Sequence, residues 1–432
     1  MMKIQKIKGF ADLFPEEAAK FTFLESRARE IFGRYGFGEL RTPLLEHTEL
    51  FAKSIGEDTD VVGKEMFTFP DRKGRLLTLR PEATAGVMRA FIEGGDWQPG
   101  QVRKYFTTGP MFRYERPQKG RQRQFHQINA EILGANEPQA DAELILMLRT
   151  FLTDIGLTRL SVELNTLGCR ECRPLFRQAL TAFFAGLDRE KLCEDCRRRV
   201  ETNPLRVLDC KVPGCRELTK DAPHITDHVC GHCREHFDTV KALLDAARVA
   251  YTLNPRLVRG LDYYQRTAFE ITSGEIGAQT AVAGGGRYDG LVGSLGGPDV
   301  PGVGFACGME RLTMLLEHCP ESRPDFHLAV LDERAVNQAL ILAQGLRERG
   351  LSGEVAYAPG SLKSQLRRAN KSGARLALVI GSEEFEKGLV LIKDMGGAAE
   401  QRHVPRERLL AMTAVSGLEA LLSAALPERT EE

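Results

Sequence analysis

Eight of the ten cysteines in this chain fall into four close pairs between residues 169 and 233. Three pairs have the spacing C-x2-C and one has C-x4-C, a spacing that lets two thiolates face the same tetrahedral ion. Disulfides are rare in reducing compartments, and no βαβ pattern surrounds the pairs as a thioredoxin-like motif requires. The spacing therefore predicts structural zinc, for which two pairs would suffice, with a set of reduced thiols as the alternative. The pairs are Cys169/Cys172, Cys193/Cys196, Cys210/Cys215 and Cys230/Cys233.

The cysteine-rich stretch, residues 169–250, interrupts a chain that otherwise reads as strands with helices gathered outside them. This pattern predicts an α+β domain on an antiparallel sheet, formed by residues 1–168 and 251–320, with residues 169–250 as an inserted helical module. Residues 326–432 alternate strands and helices, which predicts a small α/β domain after a proline-containing linker at 320–325. A length of 432 residues agrees with two or three domains.

Composition excludes several classes of protein. No apolar run approaches the roughly 20 residues of a membrane span, and the first residues lack the features of a secretory signal, so we expect a cytoplasmic protein without a membrane partner. Lys and Arg number 59, as do Asp and Glu, giving a net charge of zero. Any binding of nucleic acid must therefore come from local patches of charge.

One such patch is MFRYERPQKGRQRQFHQINAE, residues 111–131, which reads as two strands joined by a basic loop. Alternation places Gln127, Asn129 and Glu131 on one face of the second strand, as a binding surface or as a solvated outer face. The loop, residues 116–123, fits a polyanion because arginine binds phosphate in a bidentate manner, although solvated charged hairpin tips are common. Its basic residues are Arg116, Lys119, Arg121 and Arg123.

Further polar clusters occur in LTLRPEATAG, LVRGLDYYQRTAFEI and GMERL. Paired tyrosines such as those of the second stretch are more often packing residues than ligands. The stretch AGGGRYDGL reads as a glycine-rich turn, and it lacks the spacing of a Walker-type phosphate loop.

Taken in order, RPEATAG, FRYERPQKGRQRQFHQ, LVRGLDYY, GGGRYDGL and GVGFACGMERL resemble bacterial histidyl-tRNA synthetase, a class II aminoacyl-tRNA synthetase. The resemblance covers nearly the whole chain. The basic hairpin resembles class II motif 2, GVGFACGMERL resembles motif 3, and YGFGELRTPLLEHTELF resembles motif 1, which lies at the dimer interface in the family. RGLDYY and GGGRYDGL resemble the two histidine-specific segments.

The resemblance implies a class II catalytic domain, a C-terminal anticodon-binding domain and a homodimer. The implied activity is that of a histidine–tRNA ligase, which joins L-histidine to ATP as histidyl-adenylate and then to the 3′ end of tRNA(His), with Mg²⁺ on the ATP phosphates. One alternative is a non-catalytic regulatory paralogue that senses histidine, although such paralogues commonly lack the C-terminal domain and the key arginines. A non-enzymatic RNA-binding module is the other.

The resemblance also implies roles for individual residues. Arg113 and Arg259 would be catalytic and contact the α-phosphate of ATP, and Arg311 would hold its γ-phosphate end. The four basic residues of the loop would meet tRNA, and a basic helix between Lys363 and Arg375 would meet the anticodon end unless it is only a solvated face. The family often has glycine where this chain has Ala83, and its members do not all share the cysteine-rich insertion. The histidine-binding set would be Glu82, Ala83, Thr84, Arg113, Gln127, Glu131, Arg259, Tyr263 and Tyr264.

Overall fold

The computed structural model describes residues 4–56, 59–95, 97–276, 281–319, 323–397 and 400–411. The chain divides into two compact units, Met1–Cys319 and Pro320–Glu432. None of the helices in these ranges is both long enough and apolar enough for a membrane span. The further division of the first unit into a catalytic part and an inserted module stays a prediction.

The first unit contains eleven strands and ten helices among the described residues. The strands are β1 (Gly38–Glu39), β2 (Leu45–His47), β3 (Phe67–Pro70), β4 (Leu76–Leu79), β5 (Arg103–Phe112), β6 (Gln124–Leu133), β7 (Ser161–Thr166), β8 (Tyr251–Leu253), β9 (Gln265–Thr272), β10 (Ala281–Arg287) and β11 (Gly302–Gly308). The helices are α1 (Pro15–Arg34), α2 (Thr48–Ile55), α3 (Thr84–Gly94), α4 (Pro138–Asp154), α5 (Cys172–Ala185), α6 (Glu194–Thr202), α7 (Pro213–Leu218), α8 (Gly231–Ala246), α9 (Leu291–Ser294) and α10 (Met309–Leu315).

Eight of these strands form one sheet in the order β1-β5-β6-β11-β10-β9-β7-β8. Every pair is antiparallel except β1 with β5 and β7 with β8, at the two edges. The predicted α+β class with a mainly antiparallel sheet is therefore confirmed. A separate antiparallel sheet has the order β2-β4-β3.

Helices α1 and α4 cover one face of the large sheet and form its main core. The apolar residues of α1 recur at helical spacing along one face, and each residue of that face is buried. Helix α4 contributes a second apolar stripe to the same core. The buried residues of α1 are Phe21, Leu24, Ala28, Ile31 and Phe32.

The glycine-rich stretch is a strand as far as Arg287, and the predicted turn is limited to Asp289 and Gly290. Gly284, Gly285 and Gly286 lie inside β10, between β9 and β11. A Cβ on Gly285 would overlap the backbone of β11 at Gly304, so a residue without a side chain is needed where these strands approach. The expectation of a turn at these three glycines failed because glycine was taken as a chain breaker.

Residues 169–250 form four helices that share a core with the sheet. Phe176 and Phe184 of α5 pack in the same cluster as Val87 of α3 and Tyr288 next to β10. Helix α8 packs against α4 through Phe237 and other apolar residues. The cysteine-rich segment is therefore bound to the sheet by shared apolar burial.

The second unit is a five-stranded sheet with helices beside it. Its strands are β12 (Phe326–Val330), β13 (Gly353–Val355), β14 (Leu376–Ile380), β15 (Leu389–Asp394) and β16 (Arg402–Pro405), in the order β13-β12-β14-β15-β16. Its helices are α11 (Val336–Arg347), α12 (Leu362–Ser372), α13 (Ser382–Lys387) and α14 (Arg406–Ala411). The basic helix predicted from sequence is α12, which carries four of the five lysines and arginines from Lys363 to Arg375. Arg375 follows the helix, and all five side chains are exposed.

A fully buried ion pair joins the end of β10 to α4. Arg287 donates to both carboxylate oxygens of Asp141, and His236 of α8 lies 3.3 Å from the same carboxylate. Both charged side chains have no exposed surface. The buried polar group therefore connects β10, α4 and α8.

We expect Asp141→Ala to lower the free energy of unfolding by about 3 to 5 kcal/mol, because it removes the fully buried counter-ion of Arg287 and leaves only the partly exposed Asp289 carboxylate beside it. The exposed ion pair of Asp238 with Lys241 gives a matched control, and Asp238→Ala should change stability by less than about 1 kcal/mol. Denaturant unfolding of both variants measures the difference. Equal losses in the free energy of unfolding would show that the buried ion pair contributes no more to stability than an exposed one.

Candidate active site

A cleft of about 420 Å³ opens on the face of the large sheet opposite α1 and α4. Strands β6, β9, β10 and β11 form its floor, and the start of α3, the basic loop and residues 259–264 form its walls. The sequence-predicted residues that line it are Glu82, Thr84, Arg113, Arg121, Gln127, Arg259, Tyr263, Tyr264 and Arg311.

The floor presents polar atoms without partners. Gln127 and Asn129 lie on β6, and the side-chain oxygen of each is buried and forms no hydrogen bond with any residue that the structure describes. The Nε atom of Arg259 is also buried, and it too has no hydrogen-bond partner among the described residues. Buried polar groups nearly always have partners, so these atoms point to a polar ligand.

The start of α3 holds one carboxylate in the wall. Glu82 accepts hydrogen bonds from the backbone N–H groups of Thr84 and Ala85, at 2.7 and 2.8 Å, and so caps the helix. Burial raises the pKa of its carboxyl above the ordinary value. Ala83 is fully buried and lies behind this wall rather than in the lining.

Glu131 lies beneath the floor. Its carboxylate accepts from the Thr84 hydroxyl at 2.7 Å and from the Tyr288 hydroxyl. Burial raises the pKa of Glu131 to about 8, which outweighs the two hydrogen bonds that favour the charged form. The Glu131 side chain is therefore linked to the cleft through Thr84, and its predicted direct contact with histidine stays a prediction.

Arg259 crosses the cleft from the loop after β8. Its guanidinium donates to Glu270 of β9 at 3.0 Å and lies over the ring of Tyr264. Burial opposes charge on this group, but Tyr264 and the Glu270 carboxylate raise the pKa of Arg259 above its ordinary value. Gly284, which pairs with Glu270 across β10 and β9, leaves the space that the guanidinium fills.

We expect Gly284→Ala to lower the rate of the chemical step by about 10- to 100-fold, because small misplacements of a catalytic group have effects of this size. A Cβ there would lie 2.6 Å from both terminal nitrogens of Arg259, the far end of a flexible side chain. The fold should therefore tolerate the change. Gly293→Ala, where a Cβ meets nothing closer than 3.9 Å, is the control. An unchanged turnover rate in Gly284→Ala would contradict this role for the glycine.

Two further arginines are held by backbone carbonyls. Arg113, just after β5, donates from Nε to the carbonyl of Pro81 at 2.8 Å. Arg311 of α10 donates to the carbonyl of Ala281 at 2.6 Å and to that of Gly120 in the basic loop at 3.3 Å. Hydrogen bonds to carbonyls position the two guanidinium groups without neutralising them, so both can bind an anion.

The basic residues of the loop differ in position, since only one of them lines the cleft. Arg121 lines the cleft, where it pairs with Glu115 at 3.0 Å. Arg123 lies over the ring of Tyr114, 3.8 Å from its centroid. Arg116 and Lys119 are exposed and lie outside the lining. Their predicted contact with tRNA stays a prediction.

The two tyrosines of the predicted histidine segment lie with ring centroids 4.6 Å apart and ring planes inclined by 43°. Burial raises the pKa of both phenols, so Tyr263 and Tyr264 keep their protons at neutral pH. They can therefore donate hydrogen bonds to a ligand in the cleft.

Comparisons with known proteins agree with this geometry. The profile of the histidyl-tRNA synthetase family matches residues 9–312, and that of an anticodon-binding domain matches residues 325–414. The chain belongs to the histidyl-tRNA synthetase family. A histidine–tRNA ligase of Maridesulfovibrio salexigens is 66% identical over 94% of this chain and 99% of its own. One of Nitratidesulfovibrio vulgaris is 63% identical over 96% and 100%.

A solved structure supports the same assignment. The apo histidyl-tRNA synthetase of S. aureus superposes with a TM-score of 0.77 at 33% identity, covering 95% of this chain and 99% of that one. The predicted family and class II fold are therefore confirmed. The relatives also favour the predicted ligase over the regulatory paralogue.

Sequence reasoning missed several residues of this histidyl-tRNA synthetase site. Tyr288, Glu270 and Gly284 were not assigned roles, although Tyr288 and Gly284 belong to the stretch that resembles a histidine-specific segment. Asn129 was placed on the polar face of β6 but not in the histidine-binding set. That alternation was the signal that could have included it.

The eight paired cysteines of this family member form two clusters. Cys169, Cys172, Cys230 and Cys233 make the first, and within each cluster all four sulfur atoms lie within 4.8 Å of one another. The outer two pairs of the segment thus combine with each other, as do the inner two. The second cluster is Cys193, Cys196, Cys210 and Cys215.

Proposed function

We propose that this cleft performs both steps of histidine–tRNA ligation. The carboxylate of L-histidine attacks the α-phosphate of ATP, giving histidyl-adenylate and pyrophosphate. The terminal ribose hydroxyl of tRNA(His) then takes the histidyl group and releases AMP. The observation that carries the proposal is the convergence of Arg113, Arg259 and Arg311 with the polar floor of one cleft.

The arginines supply what phosphoryl chemistry requires, which is positioning and fixed positive charge. We infer that Arg113 and Arg259 contact the α-phosphate, where negative charge builds up during attack. Arg311, at the start of α10, would take the γ-phosphate end. Each guanidinium is anchored before ATP arrives, so little reorganisation is needed during the reaction.

ATP is proposed to enter with Mg²⁺, which neutralises phosphate charge when bound. Glu270 and Glu310 line the cleft on the side of Arg311, and carboxylate oxygens are the ligands that Mg²⁺ takes beside phosphate. Glu310 also accepts hydrogen bonds from the backbone N–H of His126, which fixes its position. The donor set therefore fits the ion.

Selection of histidine follows from the polar wall. A neutral imidazole has one donor and one acceptor, and a pocket that pairs both rejects analogues lacking them. We propose that Tyr263 and Tyr264 face the imidazole, with Glu131 acting beside them or through Thr84. Glu82, Thr84 and Gln127 would surround the α-amino group.

Two basic surfaces are proposed to meet tRNA(His). The loop at 116–123 borders the cleft and would approach the acceptor end, while the exposed basic side chains of α12 would approach the anticodon end. Phosphate contacts of this kind weaken as salt rises. Each of the two units would thus bind a different end of the same tRNA molecule. The reaction would take place in the cytoplasm.

We further propose a homodimer that uses the segment resembling motif 1. Leu44 and Leu45 of this segment are exposed, as are Phe69 and Leu76 of the neighbouring small sheet. Exposed apolar side chains grouped in this way mark interaction surfaces. The mass in solution should be that of two chains.

Charging of tRNA tests the proposal directly. Purified protein should attach labelled histidine to a tRNA(His) transcript in the presence of ATP and Mg²⁺. A transcript that ends in a 2′,3′-dideoxy nucleotide is the control, because it lacks the accepting hydroxyl. Folded protein that charges neither transcript would overturn the proposed function.

A further inference from the structure

We propose that each four-cysteine cluster binds one structural zinc ion, and that the ion in the second cluster fixes part of the cleft wall. Four thiolates in a tetrahedral arrangement are the ligand set that zinc occupies in structural sites. All eight cysteines are free of disulfides. The clusters therefore offer two complete coordination shells.

The distances between sulfur atoms fit this ion. Zn–S bonds of about 2.3 Å in a tetrahedron place sulfur atoms about 3.8 Å apart. Cys169 and Cys172 are 3.5 Å apart in the first cluster, and Cys193 and Cys210 are 3.9 Å apart in the second. Four thiols gathered this closely without an ion would gain only weak S–H contacts.

Backbone groups around both clusters are arranged to support thiolates. The N–H of Cys230 donates to the sulfur of Cys172 at 3.1 Å, and the N–H of Cys193 donates to that of Cys215 at 3.2 Å. Such outer hydrogen bonds orient the ligands of metal sites. The N-terminal ends of α5, α6 and α8 also lie at cysteines, and helix N-termini favour negative charge.

The first cluster closes the inserted segment at its base. Cys169 and Cys172 follow β7, where the chain leaves the sheet, and Cys230 and Cys233 stand at the start of α8, which leads back to it. A surface cleft of about 340 Å³ lined by Cys169, Cys230 and Cys233 gives a metal ion access. An ion here would tie the two ends of the insertion together.

The second cluster is connected to the active-site cleft. Its ligands bracket residues 197–209, and Arg206 in this stretch donates to the carbonyl of Arg259 at 2.9 Å. Arg199 donates to Asp60 at 2.7 Å. Asp60, Arg206 and Asp209 all line the cleft. A metal ion that closes this stretch would therefore position the backbone of the catalytic arginine.

Metal analysis of the full chain, purified under reducing conditions, tests the zinc sites independently of activity. We expect two zinc ions per chain, falling to one in Cys169→Ser/Cys172→Ser and to one in Cys193→Ser/Cys196→Ser. Cys319→Ser, which lies outside both clusters, should keep two. Reduced wild-type protein that holds no zinc after incubation with Zn²⁺ would overturn the proposal, as would a content that neither double variant lowers.

The positioning effect rests on the proposed function and needs a rate measurement. Removal of zinc from wild-type protein by a chelator should lower kcat of histidine-dependent pyrophosphate exchange by about 10- to 100-fold, and added Zn²⁺ should restore it. Arg206→Ala should lower kcat similarly while both ions stay bound. An unchanged kcat in either case would refute the positioning role. Absence of exchange even in zinc-loaded protein would instead count against the proposed function.

Discussion

Arg259→Ala is expected to lower kcat for histidyl-adenylate formation by about 100- to 1000-fold, the effect of removing one preorganised donor from a site of developing charge. The guanidinium is held by Glu270, and its Nε has no partner in the described part of the chain, so it is placed for an anion that arrives with the substrate. KM for histidine should change little, because the proposed contact is with phosphate. Pyrophosphate exchange at varied histidine and ATP measures both constants.

An exposed arginine gives the control for this variant. Arg159, whose side chain is 80% exposed and pairs with Glu275, can be replaced by alanine without effect on either constant. Equal losses in kcat and in histidine binding for Arg259→Ala would contradict a role confined to the phosphate.

Glu131→Gln is expected to raise KM for histidine by roughly 10- to 100-fold. The two oxygens of the buried carboxyl group accept from Thr84 and Tyr288, whereas the amide nitrogen of glutamine cannot accept a hydrogen bond. One hydroxyl is then left without its partner, which costs about 1 to 3 kcal/mol. The exposed Glu317→Gln is the matched control. A variant with wild-type KM would show that Glu131 does not order the histidine wall.

The same variant should also remove the contribution of Glu131 to the pH dependence of the free energy of unfolding. The pKa of Glu131 is raised from 4.5 to about 8, so between these values the folded chain keeps a proton that the unfolded chain has lost. Wild-type stability should then fall as pH rises through this window, by at most about 4 to 5 kcal/mol for this group. The melting temperature of Glu131→Gln relative to wild type should therefore be higher at pH 9 than at pH 5. A pH-independent difference would contradict the raised pKa.

Local patterns predicted much of this structure. The 3.6-residue spacing of α1 identified its buried face, and alternation along β6 placed Gln127 and Asn129 on the face that became the cleft floor. Such patterns succeed because one face of each element is set by its own sequence. The basic loop was likewise visible as a local excess of charge.

Features that depend on strand order could not be found in this way. Tyr288 reaches Glu131 because β11 lies between β6 and β10, an arrangement that no local pattern encodes. The glycines of β10 were assigned to a turn because close packing of strands was not foreseeable. The pairing of cysteines was also open, since only the return of the chain at α8 brings Cys230 to Cys172.

Histidine-dependent exchange of labelled pyrophosphate into ATP tests the central claim, that this cleft forms histidyl-adenylate. The assay requires no tRNA and can be run with each amino acid in turn. We predict exchange with histidine that exceeds every other amino acid by several orders of magnitude, and its near loss in Arg259→Ala. Folded protein that supports no exchange with histidine, or equal exchange with another amino acid, would contradict the account.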